Sequence, residues 1–255
     1  MPYFDYQARQ IFYSENGTGK PLLLLHGNTA SSRLFSQVIP LFDNEYRVIT
    51  LDFLGNGLSD RIPTWPEDLW FTWGEQAETL CNHLSLEEVY VIGTSGGALA
   101  ALNLALEHPQ RVAALICDSF EGLKADPKTT ESIAAGREYA QQMEGFCSML
   151  QAMHGDDWKQ VIDADTDALV RHARNVVDFC HQPLSQLKAP LLLTGSAEDE
   201  MFPQGHYELL FEEIARYGES IQKHIFPKGN HPAMLNNAAE FTQLAKSFFG
   251  EASAR

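Results

Sequence analysis

Five consecutive residues carry the sharpest chemical pattern in the chain: Gly93-Thr94-Ser95-Gly96-Gly97. An apolar run, Val89–Ile92, leads straight into this Gly-x-Ser-x-Gly, and an alanine-rich stretch (Ala98, Ala100, Ala101) leads straight out of it. A serine on a sharp strand-to-helix turn is lifted above the sheet edge, and small residues two positions to either side let strand and helix pass without collision. The start of the helix adds unpaired N–H groups and the positive end of a dipole, and both favour negative charge near Ser95 Oγ. The segment lacks the Lys-Ser/Thr ending of a phosphate loop and the Gly-x-Gly-x-x-Gly spacing of a dinucleotide fold, so nucleotide binding is not expected.

A serine hydroxyl is a weak nucleophile at neutral pH and needs a base within hydrogen-bond reach, itself oriented by an acid. Of nine histidines, His231 is the candidate base. It lies in Gly229-Asn230-His231-Pro232, just past the last apolar run, Ile221–Phe226, where loops of an open α/β sheet reach the ligand-binding edge. His26 reads as a holder of loop structure. The acid should follow the apolar run Leu191–Thr194, within Gly195-Ser196-Ala197-Glu198-Asp199-Glu200, or follow Val112–Cys117 as Asp118.

Taken together these residues resemble the α/β-hydrolase superfamily, over nearly the whole chain from about Ile11 to Phe249. His26-Gly27-Asn28 after Leu22–Leu25 is similar to that family's oxyanion loop, Asp52 to Asp60 to its Asp-x-x-Gly-x-Gly-x-Ser loop, and Leu106–Val112 to its link into the sixth strand. The order Ser95…Asp199…His231 is the family's order of nucleophile, acid and base. Asp199, with Pro203 four residues on, is similar to the family's acid segment, while Glu198 stands at the family's usual distance from Gly195; Asp118 occupies a place some relatives use. The resemblance implies Ser95, Asp199 and His231 as catalytic triad and the N–H groups of Asn28 and Gly96 as oxyanion hole. Where the family often has His before the nucleophile and Met after it, this chain has Thr94 and Gly96. The dehalogenase branch holds a halide with an asparagine at the place of Asn28, but its nucleophile is Asp, so dehalogenation is not expected. Arg33, Phe35, Trp65, Trp70, Trp73, Phe120 and the methionines of the 121–186 insertion are candidates to line a pocket.

Short apolar runs must position these groups. Ile11–Tyr13, a turn at Asn16–Gly19 and Leu22–Leu25 suggest a hairpin; Tyr46–Leu51, Val89–Ile92, Val112–Cys117, Leu191–Thr194 and Ile221–Phe226 are further strands. Helical patterns lie between them at Glu75–Leu84, Gly96–Glu107, Tyr207–Tyr217 and Ala238–Phe248. The alternation implies an α/β fold with a mostly parallel, buried central sheet of about eight strands flanked by helices. Residues 121–186 break the rhythm with helical patterns alone: Glu131–Gln142, Cys147–His154, Trp158–Ala164 and Thr166–Phe179. Met143, Phe146, Met149, Met153 and Trp158 supply a soft apolar face. The expected organisation is a hydrolase core from 1–120 and 187–255 with a helical cap at 121–186.

Composition narrows the partners. In 255 residues, 18 Lys and Arg stand against 34 Asp and Glu, a net charge of -16 that repels nucleic acid and anionic lipid. No apolar stretch approaches the ~18 residues of a membrane span. The segment Met1–Gln10 has no apolar leader, so a cytoplasmic location is expected. Cys81, Cys117, Cys147 and Cys180 form no Cys-x-x-Cys pair; Cys81 and Cys117 read as core residues. The partner is a small molecule, no metal or organic cofactor is expected, and no motif specifies an oligomeric state. The leading reading is a serine hydrolase cleaving a carboxylic ester through an acyl-enzyme. The alternatives are a carbon–carbon bond hydrolase or a perhydrolase or cofactor-free haloperoxidase on the same triad, and, of another class, a receptor using the pocket for binding.

Overall fold

The computed structural model describes residues 2–254. The elements in chain order are β1 (Tyr3–Tyr6), β2 (Arg9–Asn16), β3 (Lys20–Leu25), α1 (Ile39–Phe42), β4 (Tyr46–Leu51), α2 (Leu69–His83), β5 (Val89–Thr94), α3 (Gly96–Glu107) and β6 (Val112–Asp118). There follow α4 (Pro127–Ala140), α5 (Glu144–His154), α6 (Trp158–Asn175), β7 (Leu191–Ser196), α7 (His206–Ala215), β8 (Ile221–Phe226), α8 (Ala233–Asn236) and α9 (Ala238–Ser253). The strands form one eight-stranded sheet in the order β1-β2-β4-β3-β5-β6-β7-β8. The β1/β2 and β2/β4 pairs are antiparallel and every later pair is parallel. This is the α/β-hydrolase fold, with a helical insertion, α4–α6, between β6 and β7.

Alternation along the strands splits the core into two layers. Leu23, Leu25, Ile49, Leu51 and Val91 face one side, under α2, α3 and α7. Leu22, Leu24, Val48, Tyr90 and Ile92 face the other, under α1, α8 and α9. β5 and β7 are buried along their whole length, as strands covered on both faces must be. Cys81 and Cys117 are core residues.

Three sequence expectations need correction. The runs at Ile11–Tyr13 and Leu22–Leu25 do not form a hairpin: β2 pairs with β1 and β4, and β3 pairs with β4 and β5. The turn instead passes over the start of β4, and Gly17, at φ +76°, lies against the Asp43 and Tyr46 carbonyls with no room for a Cβ. α2 begins at Leu69 rather than Glu75, because Trp70 and Trp73 bury their rings in the core from its first turn. Trp158–Ala164 and Thr166–Phe179 are one helix, α6, running unbroken through Asp165.

Candidate active site

The β5–α3 turn behaves as the glycine spacing requires. Ser95 has φ +55° and ψ -128°, a conformation that costs a non-glycine residue about 1–3 kcal/mol and persists only where its surroundings impose it. Those surroundings have no slack: a Cβ on Gly93 would overlap the Gly97 carbonyl, and one on Gly97 would overlap the Leu25 carbonyl. Ser95 N–H donates to the Asp118 carbonyl at 2.8 Å, which fixes the elbow to the end of β6.

The register aligns the ends of the neighbouring strands. Thr94 pairs with Asp118 and Asp118 with Thr194, so the loops after β5, β6 and β7 leave from one edge. The segment after His231 is drawn to the same place: Ala233 N–H donates to Ser119 Oγ at 2.8 Å and Met234 N–H to Asp118 Oδ2 at 3.1 Å. His231 itself is largely buried, and its Nδ1–H donates to Asp199 Oδ2 at 2.8 Å. A carboxylate can only accept, so this contact sets the tautomer and leaves Nε2 free to take a proton.

Asp199 is held by three donors. Besides His231 it accepts from the Tyr207 hydroxyl at 2.6 Å and from Met201 N–H at 2.9 Å. Burial pushes its carboxyl up, but the bond and charge of His231, then Tyr207 and Met201, outweigh burial and hold it below the usual carboxylate value. Tyr207 reaches it because Gly195 leaves no Cβ in the way of the ring.

The other two acid candidates sit elsewhere. Glu198 Oε2 faces Gly229 N–H at 3.5 Å and makes no bond to the imidazole. Asp118 is fully buried and accepts from Thr94 Oγ1, Thr194 Oγ1 and Met234 N–H. Burial raises its carboxyl to about 6, against the pull of these donors. Thr94, where the family often has His, is therefore a strut between β5 and β6. His26 is likewise structural: its Nδ1–H donates to the Gly27 carbonyl at 2.8 Å and its Nε2 accepts from Phe53 N–H at 3.1 Å. Burial pushes it down to about 4, so it is neutral.

Asn28 lies beside the elbow. Among the described residues its backbone N–H has no protein acceptor. Gly96, in the first turn of α3, has no intrahelical acceptor for its own N–H. The Asn28 side chain is fully engaged: Trp70 Nε1–H donates to its Oδ1 at 3.1 Å, and its Nδ2 donates to both oxygens of Asp165 at 3.0 and 3.1 Å. A Cβ on Gly96 would overlap Asn28 Oδ1 and lie 2.6 Å from Trp70 Nε1. The Asn28–Trp70 pair thus occupies the space of a larger residue after the serine. Of the other aromatic pocket candidates, Trp73 stacks on Phe53 and Phe35 packs in the opposite layer of the core. Met143 and Met149 are exposed rather than turned inward.

Sequence reasoning missed four residues here. Tyr207 stands out in the sequence only as the start of a helical pattern, and Phe202, whose ring meets His231 edge-on, lies in no motif. Glu200, which accepts His231 N–H at 2.9 Å, was passed over as one more acid in an acidic loop. Asp165 fell at the gap between two presumed helices; its place on the inward face of α6 was the available signal. Among the described residues no three His, Cys, Asp or Glu side chains converge as metal ligands. None forms a helix long and apolar enough to cross a membrane.

A family model described as alpha/beta hydrolase fold matches residues 20–153. The 2-hydroxy-6-oxo-6-phenylhexa-2,4-dienoate hydrolase of Comamonas testosteroni is 27% identical over 263 residues, covering 93% of this chain and 90% of that protein. Among solved structures, a meta-cleavage product hydrolase from Pseudomonas fluorescens IP01 superposes with a TM-score of 0.75 at 18% identity, over 96% of both chains. A thermophilic esterase from Thermogutta terrifontis does so at 0.76 and 22% identity, over 96% of this chain and 94% of its own.

Proposed function

The chain belongs to the α/β-hydrolase fold family, and from that premise we propose that Ser95, His231 and Asp199 act as a catalytic triad on a small-molecule carbonyl substrate, with residues 121–186 as a cap over a core of 1–120 and 187–255. The observation that carries this reading is the Asp199–His231 bond, formed at the sheet edge where the strained Ser95 elbow ends β5. His231 Nε2 takes the Ser95 proton as the hydroxyl oxygen adds to the carbonyl carbon. The Asn28 and Gly96 N–H groups receive the charge on the carbonyl oxygen; each such donor is worth about 3–4 kcal/mol of barrier. Asp199 holds the imidazole and balances its positive charge.

The likeness to the Comamonas hydrolase along nearly the full chain favours a carbon–carbon bond as the one cleaved. In that case the tetrahedral adduct collapses by expelling a carbanion. Such a group leaves only when a conjugated carbonyl delocalises its electron pair, so a dienol substrate must first ketonise, its enol proton moving to the carbon beside the scissile bond. The proton held by His231 is then delivered to the departing dienolate. An acyl-serine remains, and water, deprotonated by His231, hydrolyses it to the carboxylic acid. Ester cleavage, the leading expectation from the sequence, uses the same steps with an alkoxide leaving, and is supported only by likeness of fold to esterases.

The test is turnover of 2-hydroxy-6-oxo-6-phenylhexa-2,4-dienoate beside a p-nitrophenyl ester series, with Ser95→Ala and His231→Ala as controls. Both substitutions are expected to cut turnover by at least about 10⁴-fold. A dienoate kcat/KM well above that of every ester supports the carbon–carbon reading, the reverse order supports the ester, and wild-type turnover in either variant refutes the triad.

A further inference from the structure

Asp165 is fully buried in the middle of α6, yet its carboxylate serves residues far away in the chain. It accepts Asn28 Nδ2–H on both oxygens and Thr29 N–H at 3.1 Å. Its charge is met by Arg137 of α4, whose Nη1 lies 2.8 Å from Oδ1 and also donates to Thr166 Oγ1 at 3.0 Å. The loop it grips is strained: Thr29 has φ +57°. A second side chain of the insertion holds the same residue, His154 Nε2–H donating to the Thr29 carbonyl at 3.2 Å while its Nδ1 accepts from Gly57 N–H at 3.0 Å.

A buried ion pair is a poor source of stability, because desolvating two charges consumes most of what their attraction returns. Its value lies in direction. Asp165 fixes the Asn28 side chain and the N–H of the peptide that follows it, and so the residue whose own N–H is the unpartnered donor beside Ser95. We propose that Asp165 is a positioning residue for the oxyanion hole: it aims the Asn28 N–H from the insertion, and Arg137 cancels its charge so that a carboxylate can stand near a developing oxyanion without opposing it. The inference rests on the reading of Ser95 as nucleophile. It gives the insertion a part in the chemistry as well as in covering the site. A misalignment of about 1 Å in such a group is enough to cost on the order of 100-fold in rate.

The test needs no knowledge of the natural substrate. A fluorophosphonate phosphonylates an activated serine through a transition state that puts charge on an oxygen in the oxyanion hole, so its second-order labelling rate reports on the hole. Asp165→Asn is expected to label Ser95 about 10–100-fold more slowly than wild type. Because that variant leaves Arg137 largely buried and without its carboxylate, the double variant Asp165→Asn/Arg137→Met is made beside it. The double variant is expected to regain the wild-type melting temperature but not the labelling rate. Wild-type labelling in either folded variant overturns the positioning role, and so does recovery of rate together with stability in the double variant. Failure of the wild-type chain to label at Ser95 instead refutes the reading beneath it.

Discussion

Gly96→Ala is a substitution whose sign is informative. Gly96 is the first residue of α3, where replacing glycine by alanine ordinarily stabilises a helix by up to about 1 kcal/mol. Here the new methyl would overlap Asn28 Oδ1 and sit 2.6 Å from Trp70 Nε1. Crowding of this kind costs about 1–3 kcal/mol, and loss of the Trp70–Asn28 hydrogen bond adds about 0.5–1.5 kcal/mol. The net expectation is a loss of roughly 1–4 kcal/mol, or a fall in Tm of several degrees at about 2–4 °C per kcal/mol. Activity should fall further than stability implies, because displacing Asn28 misaligns an oxyanion donor; about 10²–10³-fold in kcat is the scale for losing one. Thermal unfolding and steady-state kinetics on the same preparation measure both. Adding Asn28→Gly removes the clash but leaves Trp70 Nε1–H and the Asp165 carboxylate without their Asn28 partners, so it should restore neither the Tm nor the rate. A Gly96→Ala variant as stable and as fast as wild type would refute the claim that the Asn28–Trp70 pair fills this space and sets the hole.

Asp199→Asn is expected to lower kcat by about 10⁴-fold, the scale for an orienting acid replaced by its amide, while Asp118→Asn stays within about tenfold; kcat/KM of the two on one substrate decides which carboxylate serves His231. Asp118, raised to about 6, carries the opposite pH linkage to Asp199: its ionisation costs stability as pH climbs from about 4 through 6, so Asp118→Asn should flatten the stability profile over that window, read by chemical denaturation at each pH. Asp199 is held low, so its contribution is present above the ordinary carboxylate value and lost as pH falls through its folded value. Tyr207→Phe removes one of its donors, a bond to a charged group worth about 1.5–3 kcal/mol, so its Tm deficit should be full at pH 7 and shrink towards pH 3.

Much of this site is legible in local sequence because its constraints are local. Gly93, Gly97 and the apolar strand before them record a steric requirement among adjacent residues, and the unbroken leucine run of β3 records a sheet covered on both faces. What escaped the sequence reading depends on contacts across the fold. Tyr207 looks like any aromatic at the start of a helix until α7 brings its hydroxyl to Asp199, eight residues earlier. Asp165 looks like a helix break because buried carboxylates are rare; only the meeting of α6 with the Asn28 loop supplies its partners. The hairpin was misread for a similar reason: nothing near Asn16–Gly19 shows that β4, thirty residues on, inserts between the two strands. The choice between Glu198 and Asp199 rested on one residue of register, Asp118 stood after another strand, and the side-chain partners separate the three only in three dimensions.

The most direct measurement is mass-spectrometric peptide mapping after reaction with a fluorophosphonate. The account expects one adduct per chain, on the peptide carrying Ser95, and near-complete loss of labelling in His231→Ala while that variant remains folded. An adduct confined to another residue, or equal labelling of Ser95 without the imidazole, would contradict it.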